Sequence, residues 1–376
     1  MIKKIAFTNY KAFKEREEID LRHVTLIFGK NSSGKTSILK LFPMFANMLS
    51  GDIQQPLLLV NEGLSLGSDY RDLFHNMTSS DLVFELVFTD DCVIKAEYAV
   101  NGDDIFMTRY QFRYGDFEIE KGLNDDKSGI WGLCYLEYFN KIKPLYDILN
   151  SPIEYLAPIR SQAPRAIVFK GFDNTQKVGY DGRGAYDILL SSYRKDGGLF
   201  KRVSEWSDKH LEGQSLMMSN SANNSGVFSL MVKRKGVDVN IAGVGQGMSQ
   251  VLPVLVQAYY AKENSINIIE QPALHLHPAA HSELSYLFGT ISKERKCKFI
   301  IESHSENVLL GFRKMIVDKN CNFTPDDISI YYVDECEEGS YLQRIHIDER
   351  GDLSYWPTGV FSESFEILRE INRMAR

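Results

Sequence analysis

Residues 29–36 read GKNSSGKT, and that spacing of two glycines, a lysine and a hydroxyl residue is what cradling a polyphosphate requires. Glycine lets the backbone take positive φ and turn its N–H groups inward around a phosphate. A helix starting behind the loop adds the positive end of its dipole. Lys35 can then reach the β/γ-phosphates, and the Thr36 hydroxyl can ligate Mg²⁺. The candidate phosphate-binding residues are Gly29, Asn31, Ser32, Ser33, Gly34, Lys35, Thr36 and Ser37. The context supports the pattern: VTLIF before it reads as a strand, and Ile38, Leu39 and Phe42 behind it suit a helix. Pro43 predicts a kink or a short first helix.

A phosphate loop needs a second Mg²⁺ contact, usually a carboxylate at the end of a neighbouring buried parallel strand. INIIE (266–270) fits, with Glu270 at its carboxyl end. Gln271 follows, where a second carboxylate would be useful. GVGQGMSQVLPVL (243–255) reads as a glycine-rich turn entering an apolar helix, with Pro253 expected in its first turn. Ser249 and the N–H groups around it would make a second anion-binding helix start. KFIIESHSE (298–306) reads as a strand and a turn, with Ser303 and Glu306 at capping-box spacing. His304 falls at the carboxyl edge of that strand, where α/β sheets place ligands.

Those motifs must be positioned by a chain of 376 residues, long enough for one large α/β domain or two smaller ones. With 43 Lys and Arg against 50 Asp and Glu, the net charge of −7 leaves no global footprint for nucleic acid. DNA contact is left to small clusters such as KRK (233–235) and KERKCK (293–298), which read as solvated faces. Five cysteines, none in C-x-x-C, argue against a disulfide framework or zinc ribbon and for a reducing cytoplasm. The first twenty residues turn polar too early for a signal peptide, and no apolar run approaches the ~18 residues of a membrane span. Alternating βα patterns occur at both ends, about 1–60 and 240–376. Between them, 81–119 reads as antiparallel hairpins and 184–212 as helical, with Tyr186, Leu189, Leu190 and Tyr193 at helical spacing. SNSANNSG (219–226) reads as a loop. The expectation is one composite α/β domain: a mixed-sheet core from both ends, a β subdomain over about 80–180 and a helical insertion over about 181–225.

In this order the four elements resemble ATP-binding-cassette (ABC) ATPases, in the RecF/SMC/OLD-like branch often described as AAA-type. The resemblance covers both ends well and the middle loosely. It implies a P-loop ATPase head in which GKNSSGKT is Walker A, INIIE is Walker B, GVGQGMSQ with Gly247 and Ser249 is the signature, and PALHLHP is the D-loop region. It makes His304 the switch histidine. It also implies that Arg160, in YLAPIRSQAPR (155–165), approaches the nucleotide, and WPTGVFSESFEILRE (356–370) resembles a C-terminal element of one bacterial subgroup. The family's heads sandwich two ATP molecules as a homodimer, the signature of one completing the site of the other. The long coiled-coil insertion is absent, and the chain stops short of an OLD-type nuclease domain, so the resemblance implies a separate effector, a nuclease or toxin, in anti-phage defence or DNA repair. The family's usual glutamate is glutamine at 271, which can position water but not take its proton. Slow turnover is therefore expected, and a faster Gln271→Glu variant. Two other readings stand beside this one: a non-hydrolysing nucleotide-gated scaffold, and a metal-dependent hydrolase built on His275, His277, His281 and His304.

Overall fold

The computed structural model describes residues 1–50, 56–61, 63–126, 151–172, 177–220, 226–234, 236–357, 371 and 373–374. Strands β1 (Ile2–Thr8), β2 (Glu17–Asp20) and β3 (Val24–Gly29) lead into helix α1 (Lys35–Ser50). A short hairpin, β4 (Val60–Asn61) and β5 (Leu64–Ser65), precedes β6 (Leu82–Phe88), β7 (Val93–Asn101), β8 (Asp104–Tyr114) and β9 (Phe117–Asp126). Strands β10 (Ile153–Leu156) and β11 (Ile167–Val168) are followed by helices α2 (Gly184–Lys195) and α3 (Gly198–His210). Strands β12 (Ser215–Asn220), β13 (Val227–Arg234) and β14 (Val237–Asn240) come next. The C-terminal third alternates: α4 (Gln246–Tyr260), β15 (Ile266–Glu270), α5 (Pro278–Glu294), β16 (Lys298–Glu302), α6 (Glu306–Val317), β17 (Ile328–Cys336) and β18 (Gly339–Ile345).

Two six-stranded sheets carry the fold. One is antiparallel, in the order β2-β1-β6-β7-β8-β9; the other runs β10-β15-β16-β3-β17-β18 and is parallel except for its edge strand β18. Strands β3, β15 and β16 are buried along their whole length, as a parallel sheet covered on both faces demands. Alternate side chains serve opposite faces: Val24, Leu26 and Phe28 join a core with α2 to α6, while Ile27 joins one with α1 and the antiparallel sheet. Strand β6 alternates buried and half-buried positions, as one-sided packing dictates. Buried Lys298 ties the chain start to this frame by donating to the carbonyls of Ile2 at 2.9 Å and Leu21 at 2.7 Å; burial pulls its pKa down to about 8.

Several expectations change. Helix α1 runs through Pro43 instead of stopping. The proline forfeits one hydrogen bond, at roughly 3 kcal/mol. Ile38, Leu39, Leu41, Phe42 and Phe45 are fully buried, and at about 1.5–3 kcal/mol each they outweigh that cost. Pro253 likewise lies inside α4 and not in its first turn, among fully buried Val251, Leu252, Val254 and Leu255. Ser305 stands at the N-cap position of helix α6 without a side-chain cap, and the Ser303 hydroxyl accepts from the Ser305 N–H at 3.0 Å, so Ser303 and Glu306 form no capping box. The first strand pair joins the antiparallel sheet, and β10, expected in the β lobe, completes the parallel sheet beside β15. The basic run 293–298 disperses: Lys293 pairs with Asp327 at 2.7 Å, Lys296 with Glu263 at 3.7 Å, and Lys298 is buried. Most of the 219–226 loop and of the C-terminal element 356–370 lies outside the described residues.

Candidate nucleotide site

Strand β3 is flanked by β16 and β17 and delivers the phosphate loop at its carboxyl end. Gly29 has no room for a side chain: a Cβ there would lie 2.4 Å from the Val333 carbonyl oxygen. Gly34 has φ +98°, and a Cβ would meet the Phe13 ring at 2.8 Å, so both fixed glycines are sterically required. Ser32 takes φ +66° without that licence, a sign of backbone strain held in the loop. Asn31 and Ser32 are exposed at the loop tip, while Ser33 is buried and its hydroxyl donates to the Lys30 carbonyl at 2.9 Å. Thr36 is exposed and Ser37 half-buried in the first turn of α1. Lys35 is buried, donates to the Gly29 carbonyl at 3.0 Å and to that of Lys30, and has its pKa lowered by burial.

Strands β15 and β16 lie parallel and in register, which pairs Ile268 with Ile300, Ile269 with Ile301 and Glu270 with Glu302. Two carboxylates therefore stand side by side at the carboxyl edge, each only 3% exposed. Both are pushed up to about 7, Glu270 by burial and then by the charge of Glu302, and Glu302 by burial against the opposing pull of Lys35. The Thr36 hydroxyl donates to Glu270 Oε2 at 3.3 Å, so the two expected Mg²⁺ ligands meet across the fold. Glu270 Oε1 and Glu302 Oε2 are buried with no partner among the described residues. Hydroxyl and carboxylate oxygens are the hard donors Mg²⁺ takes, and the orphaned Glu270 Oε1, on the carboxylate that meets Thr36, gives it a place to bind.

Glu302 is the buried site carboxylate that sequence reasoning passed over, although INIIE and KFIIE end alike. Its Oε1 accepts from Gln271 Nε2 at 3.1 Å, lies 3.3 Å from His304 Nε2 and 4.0 Å from Lys35 Nζ. Gln271 sits at φ +47°, its N–H donating to the Glu302 carbonyl at 2.9 Å, so the turn after β15 is folded back onto β16. His304 is half-exposed, and burial together with Lys35 lowers its pKa and favours neutral imidazole. The histidine metal set of the alternative reading does not assemble among the described residues. His277 caps α5, its Nδ1 accepting from the Ala279 N–H at 3.3 Å, and His281 spans the Ser305 hydroxyl and Leu276 carbonyl. Among the described residues no three His, Cys, Asp or Glu side chains converge on a metal position. His275 and His304 instead line a cleft of about 450 Å³ with Gln271, His281, Ser303 and Asn307.

The glycine-rich turn enters α4 through Gly245. Gly247 is needed for a close approach: a Cβ there would lie 2.8 Å from the His275 carbonyl oxygen. Ser249 is buried and its hydroxyl donates to the Gln246 carbonyl at 3.0 Å, so it points into its own turn. Arg160 was expected to reach the nucleotide, but its guanidinium is buried and committed to main-chain carbonyls: Gln250 at 3.2 Å, Glu270 at 2.6 Å and Gln271 at 3.3 Å. Arg160 therefore positions the acidic strand end against α4.

A phosphate loop on an inner strand, a buried acid facing its hydroxyl and a histidine beyond the next strand end are the parts of a P-loop ATPase site. The chain belongs to the family described as the AAA ATPase domain, which matches residues 1–130 and 136–309. A second family, described as a protein of unknown function (DUF3696), matches residues 323–371 and so takes in the whole of the C-terminal element 356–370. Among solved structures, an SMC head bound to the C-terminal winged-helix domain of ScpA is 15% identical. That match covers 92% of this chain and 98% of that one with TM-score 0.55, a shared fold. SMC heads from Thermotoga maritima (11% identical, 92% and 99% covered, TM-score 0.46) and Pyrococcus furiosus (12%, 99% and 99%, 0.49) are more distant in shape. No match is found among the curated proteins. No helix among the described residues is long and apolar enough to cross a membrane.

Proposed function

We propose that the protein binds Mg²⁺·ATP at this site, hydrolyses it slowly, and uses bound ATP to join two copies of itself as a homodimer. The observation carrying this is the meeting of Thr36 and Glu270 at 3.3 Å beside buried Lys35, two elements 234 residues apart in sequence. Thr36 and Glu270 hold Mg²⁺, which when bound neutralises charge on the phosphate oxygens. The loop amides from Gly29 to Ser37 hold the phosphates, and Lys35 exchanges its carbonyl partners for them. Gln271 and His304 hold groups at the γ-phosphate end. The turn at Gly247 and the start of α4 offer backbone N–H groups to the partner's nucleotide. Ser249 joins them only by turning its hydroxyl away from Gln246.

ATP acts in this scheme as a switch, because it binds the joined state better than the separate one. The output is control of a separate effector, a nuclease or toxin, in a cytoplasmic anti-phage or DNA-repair system; the family resemblance supports that role, and an SMC head bound to a ScpA domain is an example of a head carrying a partner. Free cysteines at 297, 321 and 336 agree with a reducing compartment. Titration calorimetry with ATP and Mg²⁺, paired with light scattering, tests the reading. The expected result is binding with a doubling of mass, both lost in Lys35→Ala. A Lys35→Ala protein that binds ATP normally overturns the site, and a mass unchanged by ATP overturns the dimer.

A further inference from the structure

The sequence places glutamine where an attacking water would need a proton acceptor, and the fold brings a different carboxylate to that spot. We infer that Glu302 is the catalytic base of the hydrolysis, supplied from the neighbouring strand in place of a carboxylate at 271. This rests on the ATPase reading above and goes a step beyond it. Three observations support it. The first is position: β16 lies between β15 and β3, so Glu302 stands between the Mg²⁺-side acid and the strand that feeds the phosphate loop. Its Oε1 is 4.0 Å from Lys35 Nζ, the ammonium that reads the β/γ-phosphates, and so it sits at the reacting end of ATP.

The second is the division of labour between its oxygens. Gln271 Nε2 donates to Oε1 and sets the rotamer, with His304 Nε2 3.3 Å away, while buried Oε2 has no partner among the described residues. A carboxylate kept only for structure has both oxygens satisfied, since an orphaned buried oxygen costs stability without return. The third is Gln271 itself. Its amide can donate to Glu302, whereas a second carboxylate there would repel it.

In the step, the water oxygen forms a bond to the γ-phosphorus as the bond from that phosphorus to the bridging oxygen breaks. The bridging oxygen leaves with the electron pair on ADP. The water proton passes to Glu302 Oε2 and then to the phosphate product or solvent.

The test compares Glu302→Gln, Glu302→Asp and Lys35→Ala with the unsubstituted protein, reading ATP affinity by calorimetry and hydrolysis in single turnover. Glu302→Gln is expected to keep its affinity for ATP within threefold while the rate falls at least ~100-fold, the usual worth of a positioned base. Glu302→Asp, a carboxylate set one methylene back, retains more of the rate than the glutamine variant. A Glu302→Gln rate within threefold of normal overturns the inference. So does loss of ATP affinity along with the rate, because Glu302 would then be an anchor for Lys35. An aspartate variant no faster than the glutamine variant also overturns it. If the unsubstituted protein binds no ATP, the ATPase reading itself fails, and Lys35→Ala, which should lose binding alone, separates the two failures.

Discussion

Replacing Gln271 by glutamate distinguishes two views of the site because they expect opposite results. On sequence alone the change restores a missing base and speeds hydrolysis. The structure gives the Gln271 amide a different task, donating to Glu302 Oε1 at 3.1 Å. Gln271→Glu removes a hydrogen bond to a charged group, worth about 1.5–3 kcal/mol. It also sets a third carboxylate beside Glu302 and Glu270, where two unit charges about 4 Å apart at an effective dielectric of ~20 repel by about 4 kcal/mol. The site escapes most of that repulsion by holding a proton, which raises the Glu302 pKa above its present value of about 7 and blocks it as a base at neutral pH. Converting the lost hydrogen bond alone at 1.36 kcal/mol per decade gives a fall of about 10- to 100-fold in turnover. Phosphate release at saturating ATP, measured from pH 6.5 to 9, is the assay. The rate should fall at pH 7 and recover in part as pH rises. A variant as fast as or faster than the unsubstituted protein at pH 7 would refute the reasoning and make residue 271 the seat of the base.

The other expectations concern stability. Glu270 and Glu302 favour the neutral form when folded, with pKa values raised from 4.5 to about 7, so their contribution is complete below pH 4.5 and is lost as pH rises through 7. The unfolding temperature of nucleotide-free protein should therefore fall between pH 5 and 8, and fall less in Glu302→Gln; equal slopes would contradict this. Glu17, also raised to about 7 by burial, adds to both slopes and cancels in the comparison. Arg160→Met leaves three main-chain acceptors without their donor and should cost roughly 3 kcal/mol. Chemical denaturation measures that, and a loss under 1 kcal/mol would mean the guanidinium bonds are not formed in solution.

What could be read from the sequence was local. GKNSSGKT and INIIE announce themselves because a phosphate loop and a buried strand end are short contiguous patterns. Glu302 was hidden because its meaning depends on the register between β15 and β16, which no local window contains. Arg160 misled for the same reason, its partners lying 90 and 110 residues away. The histidines allowed a metal set as an alternative, and the helix that Pro278 starts makes His277 its cap instead. Pro43 and Pro253 were judged by local propensity, which dense burial around both helices overrides.

The buried guanidinium of Arg160 has a mechanical consequence. One planar, rigid group binds the first turns of α4 at Gln250 and the main chain of both residues 270 and 271. Gln250 returns the contact, its side chain meeting the Arg160 backbone N–H at 3.3 Å and carbonyl at 3.2 Å. No flexible link separates the glycine-rich turn from the acidic strand end, so a push on one arrives at the other within a single side chain. Such a coupling behaves as a strut and not a spring, and a displacement of α4 is felt where Glu270 and Glu302 stand.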